Sequence, residues 1–418
     1  MDPTDDSSSS FSASELSHVN FRLLVLDILW FGLALPSTAR FLSVYAIRLD
    51  ASPVLLGWLA ALPAMVALIT SSLAGWWRSR HRELIPAMFL PGLGFRLMFL
   101  LPALTPFFPA QWQTVWLVVA VALPAIPQGV SSVLFLVLLR RGVETRQLTA
   151  LMSRRSLIFN IAVGLATLAW GLWLKHVAFP QNYQLMFVGA FALSLVSLLS
   201  VQRVQVLGPD PVPPVDHAPI QPWHSPAFRR VVFITVITHV AFFSITAIIP
   251  LRLVGELGAD EEFMSIFAVA ELSAAALAAW LTDRTVRRLG SLPTIATGLI
   301  GTGLSGLILA TTSSLEVTLI ASALSGASWT LAAISLFNYF SENTPAESLT
   351  RFSTVYNQVV LLSVFVGPMF GSQLANTPLS LTTVLMVGAV LRLLAGGLIS
   401  LEGVSRIGRV RQQVPAVK

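Results

Sequence analysis

Long apolar stretches separated by short polar segments dominate the chain from residue 21 onward. A helix needs about 20 apolar residues to cross the hydrocarbon core of a bilayer, whereas the strands of a membrane barrel read as short segments of alternating polarity. The pattern therefore predicts an all-α membrane protein with twelve transmembrane helices. The predicted segments are 21–47, 55–77, 84–104, 112–139, 150–174, 183–202, 228–251, 262–282, 290–311, 315–340, 352–375 and 380–401.

A proline-rich segment separates the first six apolar stretches from the last six. Residues 206–227 contain seven prolines, and a helix cannot continue through so many of them. We therefore predict an N-terminal six-helix half at 21–205, a linker at 206–227 and a C-terminal six-helix half at 228–402. Residues 1–20, which are acidic and rich in serine, are predicted to be a disordered tail, and the basic residues 403–418 a second tail.

The distribution of basic residues predicts how the chain lies in the membrane. Charged residues make up only 11% of the chain, whereas a soluble domain has about a quarter. Of the 26 basic residues, only Arg48, Lys175 and Arg252 fall in segments that lie outside the cell if the N-terminus is cytoplasmic. The positive-inside rule then places both termini in the cytoplasm. The expected location is a plasma membrane, such as a bacterial inner membrane. Because the basic groups form no face and no aromatic-basic motif, they do not indicate nucleic-acid binding.

The residue inventory argues against most enzymatic chemistry. The chain has no cysteine, and its six histidines lack metal-ligand spacing. The phosphate-binding pattern G-x-x-x-x-G-K-[ST] is absent, as are the hydrolase patterns H-E-x-x-H and G-x-S-x-G. The sequence therefore predicts that the protein is not an enzyme and needs no cofactor or metal.

Two short segments of the first half recur in the second half. Residues 74–80, AGWWRSR, match residues 278–284, AAWLTDR, in an alanine, a tryptophan and the final arginine. Residues 154–160, RRSLIFN, match residues 351–357, RFSTVYN, in an arginine, a serine, an aromatic residue and an asparagine. Both matches fit a duplicated six-helix unit, and parallel repeats of this kind are one plan of membrane transporters.

The chain resembles the major facilitator superfamily over roughly residues 20–402. The family motif G-x-x-x-D-R-x-G-R-R after its second span corresponds to Gly75 and the residues that follow, with Ser79 in place of the aspartate, and its echo after span eight keeps Asp283 and Arg284. Within the superfamily, drug–proton antiporters have motifs similar to two segments of this chain. These are residues 26–36 of the first predicted helix and the sequence GPMFG at 367–371. The resemblance implies two pseudo-symmetric six-helix halves, a gating role for Gly75, Asp283 and Arg284, and transport by alternating access around a central site.

Ionisable residues inside the apolar segments are candidate functional groups, because a charge in hydrocarbon costs about 2.5–3.5 kcal/mol. Glu271 and His239 lie at matching depths in neighbouring segments, where they are able to share a proton or a hydrogen bond. Asp27 is either a proton or cation site at the cavity floor, or a group that extends to the membrane interface or pairs with a cytoplasmic arginine. These three residues are the proton-coupling candidates, and a purely structural polar pair is the alternative. Arg96 and Arg392, in helices that support the cavity in the family, are expected to bond helix carbonyls or a carboxylate.

An aromatic and sparsely polar cavity is the predicted binding site. Arg40 is expected either to attract an anionic solute or to pair with an outer partner. The aromatic residues either line the binding site or only pack between helices. The candidate cavity residues are Trp30, Phe31, Arg40, Asn160, Phe242, Asn338 and Asn357.

These features together predict a secondary active transporter that exports small amphipathic or hydrophobic organic solutes in exchange for protons. Its expected partners are the solute, protons and the lipid bilayer, with a monomer as the simplest assembly. Proton-coupled import of a small metabolite is the alternative within transport. A sensor that has lost transport and an intramembrane enzyme are alternatives from other classes.

Overall fold

Twelve apolar helices long enough to cross a bilayer make up the computed structural model, which describes residues 13–207, 221–344 and 349–413. The described residues are helical or lie in turns and loops, with no strand. We number the helices as spans 1 to 12. Their bounds are Ser14–Arg48, Pro53–Ser71, Leu84–Phe107, Ala110–Gly142, Ala150–His176, Gln181–Gln202, Pro226–Phe243, Glu261–Thr282, Ser291–Thr311, Leu315–Glu342, Phe352–Ala375 and Leu381–Leu401.

Several helices extend beyond these apolar limits or are interrupted within them. Span 1 consists of three helices, Ala13–Ala34, Pro36–Ala39 and Phe41–Arg48. The first of the two breaks lies at Pro36, which has no N–H to continue the first helix. Span 3 ends in the 3₁₀ segment Leu101–Phe107, and turns at 244–248 lead from span 7 to the π-helix Leu251–Glu256. The remaining extensions and short helices are Thr145–His176, Glu261–Leu289, Leu349–Ala375, Leu381–Gln413, Ala74–Ser79 and Pro222–His224.

The first helix begins at Ala13, within the segment predicted to be a disordered tail. Ser17 and Asn20 are fully buried there. The Asn20 amide donates to the carbonyl oxygens of Gly142, at 2.7 Å, and of Gln205, at 2.6 Å, while Ser17 accepts from the Glu144 amide at 3.0 Å. These bonds tie the start of span 1 to the ends of spans 4 and 6, which apolar patterning does not reveal. Most of the predicted linker, 208–220, lies outside the described residues.

The two halves pack their helices in the same way. In the first half span 1 packs on spans 5 and 6, span 2 on span 4, and span 3 on spans 4 and 6; the second half repeats all five contacts with each number raised by six. Span 2 meets span 11 and span 5 meets span 8 across the interface between the halves. The repeat also reaches side chains, because Arg80 lies over the Trp76 ring and Arg284 over the Trp280 ring. The predicted two-half architecture is therefore confirmed.

Consecutive spans run in opposite directions, so the molecule has two faces. We call the face that holds the start of span 1 and the end of span 12 the termini face. The opposite face, which carries the connections 49–52 and 257–260, is the distal face.

Candidate functional site: a cavity between the two halves

A cavity of about 450 Å³ lies between the two halves, from the middle of the spans toward the distal face. Spans 1 and 2 supply one wall and spans 7, 8 and 10 the other. Its polar lining consists of two arginines, one glutamate and five hydroxyl side chains, and five aromatic side chains line it as well. The lining includes Thr38, Arg40, Ser43, Phe242, Phe243, Thr246, Glu271, Ser322, Ser325, Trp329 and Arg392.

An ion pair crosses this cavity from one half to the other. Arg40 lies at the break between two helices of span 1, with φ −121° and ψ −49°, and its side chain reaches across to span 8. The Arg40 Nη1 donates to Glu271 Oε2 at 2.7 Å, and the two side chains are 31% and 26% exposed. Arg40 therefore binds a partner on the other half, and that partner, Glu271, is one of the three residues predicted to couple protons.

His239 does not share a hydrogen bond with Glu271. Its ring is buried on span 7, and Nδ1 bonds the carbonyl oxygen of Thr235 at 2.9 Å. The ring also packs edge-on against Trp329, with centroids 5.4 Å apart. Matching depth in two neighbouring spans predicted a His239–Glu271 contact, but Arg40 from the other half occupies the carboxylate instead.

Aromatic rings form the wall of the cavity on the second half. Phe242 and Trp329 stack with centroids 3.9 Å apart and planes inclined by 13°, and Phe243 packs against both. Arg392 lies behind this wall at 1% exposure and donates to the carbonyl oxygens of Ala241, at 3.2 Å, and Phe242. Span 7 ends at Phe243, so the arginine bonds carbonyls that the interrupted helix leaves without their usual partners.

Asp27 lies within the first half rather than in the central cavity. Its Oδ2 pairs with Arg155 Nη1 at 3.0 Å, and its Oδ1 accepts from the Ser197 hydroxyl at 2.7 Å. Arg96 lies 3.9 Å from Asp27 and donates to Ser197 at 2.7 Å. The sequence left open whether Asp27 is a proton site or the partner of an arginine. In the structure it has arginine partners.

The remaining predicted cavity residues do not line the central cavity. Phe31 faces a separate cavity in the first half, Asn160 and Asn357 are exposed, and Asn338 and Trp30 are half-buried on their helices. Asn160 donates to the Ser156 carbonyl at 2.8 Å, one turn back on its own helix.

The predicted gating motif lies at the termini face. Gly75 is in the helix Ala74–Ser79 with open space around it, and Arg284 stacks on Trp280. The Asp283 side chain lies outside the described part of the structure.

Sequence reasoning missed a second set of contacts between the halves, near the distal face. Arg48 Nε and Nη2 donate to Glu261 at 3.0 and 2.9 Å, and Tyr183 donates to the same carboxylate at 2.9 Å. Lys175 pairs with Glu262 beside them. A signal was present, because Arg48, Lys175 and Arg252 are the basic residues in segments predicted to be outside, and each pairs with a glutamate.

Small residues let the halves approach closely at the same end. A Cβ at Gly57 on span 2 would collide with Ser372 Oγ on span 11, and a Cβ at Gly171 on span 5 would lie 2.6 Å from Ser265 on span 8. Trp58 packs on Phe365 across the same interface. The contacts between the halves are thus concentrated at the distal face, as far as the described side chains reveal. Among those residues, no three His, Asp or Glu side chains lie close enough to hold a metal ion.

Comparison with known proteins places the chain among transporters. The model of the family described as Major Facilitator Superfamily matches residues 23–368. An autoinhibited POT family peptide transporter superposes with a TM-score of 0.70 at 14% identity, covering 91% of this chain and 96% of the other. A bacterial homologue of the human lysosomal transporter Spinster, inward-facing and occupied, gives 0.70 at 12% identity, covering 94% and 97%. An inward-facing bacterial homologue of the iron transporter ferroportin gives 0.70 at 14%, covering 92% and 98%. No curated protein sequence matches the chain.

Proposed function

This chain belongs to the Major Facilitator Superfamily, and we propose that it is a secondary active transporter that couples proton movement to the movement of a small organic solute by alternating access. The observation that carries this proposal is the central cavity, which lies between the two halves and is crossed by the Arg40–Glu271 ion pair. A solute held there touches both halves, so its binding is linked to how they are arranged.

We propose that the structure corresponds to an inward-facing state with the distal face outside the cell. The ion pairs of Arg48 and Lys175 and the close approach at Gly57 hold the halves together at the distal face. The concentration of basic residues at the termini face supports a cytoplasmic position for that face. Two of the similar solved structures are inward-facing transporters, which agrees with this assignment.

Glu271 is our choice of proton-coupling residue. While it is ionised, its carboxylate holds Arg40 on the other half; protonation removes that attraction and frees Arg40 for the solute or for water. His239 is a second candidate, since its buried ring packs on the aromatic wall that adjoins the cavity. Asp27 is a weaker candidate, because two arginines surround it in one half.

The solute proposed from the cavity lining is small and amphipathic, and export is the proposed direction. The stacked rings of Phe242 and Trp329 offer an apolar surface to such a molecule. Import of a small polar metabolite is the second candidate, which the five hydroxyl groups of the lining favour. A transport assay with both classes of solute distinguishes export of an amphipathic solute from import of a polar metabolite.

Proteoliposomes that contain a pH-sensitive dye test the proposal. We expect solute-dependent proton movement when a panel of lipophilic compounds and small metabolites is added, and none in empty vesicles. The Glu271→Gln variant should insert normally but lose proton movement, because an amide cannot exchange the proton. The matched control is Glu256→Gln, which changes an exposed glutamate whose partner Arg252 belongs to the same half. Unaltered coupling in the Glu271 variant would remove this residue from the mechanism.

A further inference from the structure

A second cavity, of about 230 Å³, lies inside the first half and apart from the site between the halves. Spans 1, 3, 4 and 6 enclose it toward the termini face, and Arg155 of span 5 closes one side. Its wall includes Met88 near the start of span 3 and Val201 near the end of span 6. We call it the N-half cavity.

The charged lining of the N-half cavity has more positive than negative charge. Asp27, Arg96 and Arg155 are its three charged residues, and they are only 4%, 6% and 6% exposed. One carboxylate therefore faces two guanidinium groups in a region of low dielectric constant. Buried charges are normally paired, so an arrangement with one cation in excess favours the binding of an anion.

Arg155 has hydrogen-bonding capacity left for that anion. Its Nη1 donates to Asp27 Oδ2 and to the Leu24 carbonyl, while Nε and Nη2 have no partner among the described residues. A planar guanidinium suits a carboxylate or phosphate because it presents parallel N–H groups. Gln128 and Ser131 of span 4 line the same cavity and make no side-chain hydrogen bond within the described part of the chain.

Aromatic rings surround the rest of the cavity. Phe135 lies beneath Arg155, with the guanidinium carbon 5.0 Å from the ring centroid. Phe31 and Phe95 pack together with centroids 5.9 Å apart, and both line the cavity. The cavity thus combines a cationic, hydrogen-bonding end with an apolar body.

We propose that the N-half cavity binds an organic monoanion with an apolar body, its acidic group on Arg155 and its body against Phe31, Phe95 and Phe135. This site is distinct from the central cavity. An aromatic or aliphatic carboxylate from solution has the required chemistry, and so has the head of an anionic lipid from the membrane.

Equilibrium binding to the full chain in nanodiscs of phosphatidylcholine tests this proposal, with 1-naphthoate as the probe and 1-naphthamide as its neutral analogue. We expect saturable binding of naphthoate and at least tenfold weaker binding of the amide. Arg155→Gln should weaken naphthoate binding at least tenfold, and Gln128→Leu several-fold. The second variant leaves the Asp27 network intact, so it serves if the first does not fold. Arg40→Gln, in the central cavity, should leave the affinity unchanged.

A second set of nanodiscs, with phosphatidylglycerol in place of part of the phosphatidylcholine, separates the two sources of ligand. If the anionic lipid reduces naphthoate binding in the wild type but not the residual binding in Arg155→Gln, the site takes lipid heads; if it has no effect, the site takes soluble acids. Either result, together with the loss in Arg155→Gln, supports the proposal. Equal affinity in wild type, Arg155→Gln and Gln128→Leu, loss of binding in Arg40→Gln, or no naphthoate binding at all would overturn it.

Discussion

Two clusters of arginine and carboxylate lie within the apolar spans of this protein, and they differ in what they connect. The Arg40–Glu271 pair joins one half to the other, and its side chains are about 30% exposed in a cavity. Asp27, Arg155 and Arg96 belong to one half and are nearly fully buried, with Ser197 completing the network. The chemistry is the same, but only the first pair lies where relative motion of the halves would break it.

The Asp27 network therefore stabilises one half, whereas the Arg40–Glu271 pair depends on how the two halves are arranged. The apolar clusters nearest the termini face follow the same division, since one contains only residues of the first half and another only residues of the second. Each half is therefore suited to move as a unit. A substitution at the interface is therefore expected to change the balance between arrangements of the halves. A substitution inside a half is expected to change the free energy of unfolding.

The largest expected effect comes from breaking the buried network. Asp27→Asn removes the one carboxylate that, among the described residues, pairs with the buried Arg96 and Arg155. Breaking a buried ion pair by removing one partner costs about 3–5 kcal/mol. We expect a large fall in the thermal unfolding temperature of the purified protein in detergent. Glu271→Gln, at a partly exposed pair, should cost about 1 kcal/mol or less. Equal stability losses in the two variants would contradict the distinction between the clusters.

Two glycine-to-alanine substitutions, one inside a half and one between the halves, test the same distinction. Gly129→Ala places a methyl group 2.6 Å from the Ala67 carbonyl oxygen inside the first half. Such overpacking costs about 1–3 kcal/mol, which a thermal melt detects. Gly57→Ala presses instead on Ser372 across the interface. It should leave the melt nearly unchanged and loosen the distal contact; a destabilisation as large as that of Gly129→Ala would show that the interface is as rigid as the interior.

A smaller effect is expected from weakening the distal contact. Glu261 accepts hydrogen bonds from Arg48 and Tyr183 of the other half, and a bond to a charged group contributes about 1.5–3 kcal/mol. Glu261→Gln should therefore raise the reaction rate of a cavity cysteine from the distal side by about tenfold. Ser325→Cys supplies that thiol in a chain without natural cysteines, and Ser305→Cys, fully buried in the second half, is the unreactive control. An unchanged rate would mean that Glu261 does not keep the cavity closed.

Sequence patterning predicted the fold well and the site only in part. The twelve spans and the duplication follow from apolar length and local repeats, both of which are properties of short stretches. The Arg40–Glu271 pair does not, because its partners are far apart in sequence and meet only when the halves assemble. Neighbouring spans suggested His239 for Glu271, and the break in span 1 that turns Arg40 toward span 8 is visible only in the structure. The sequence identified Asp27 as an ionisable residue inside an apolar segment. Its partners could not be predicted, because they depend on how spans 3, 5 and 6 pack.

Alternating access itself is tested most directly by the side from which Ser325→Cys reacts with a membrane-impermeant thiol reagent. The protein would be assayed in right-side-out and in inside-out vesicles, with Ser305→Cys as the control in each. Alternating access predicts modification from both sides, slower from the distal side in the wild type and faster there in Glu261→Gln. Modification from one side alone, under every condition and in both backgrounds, would contradict it.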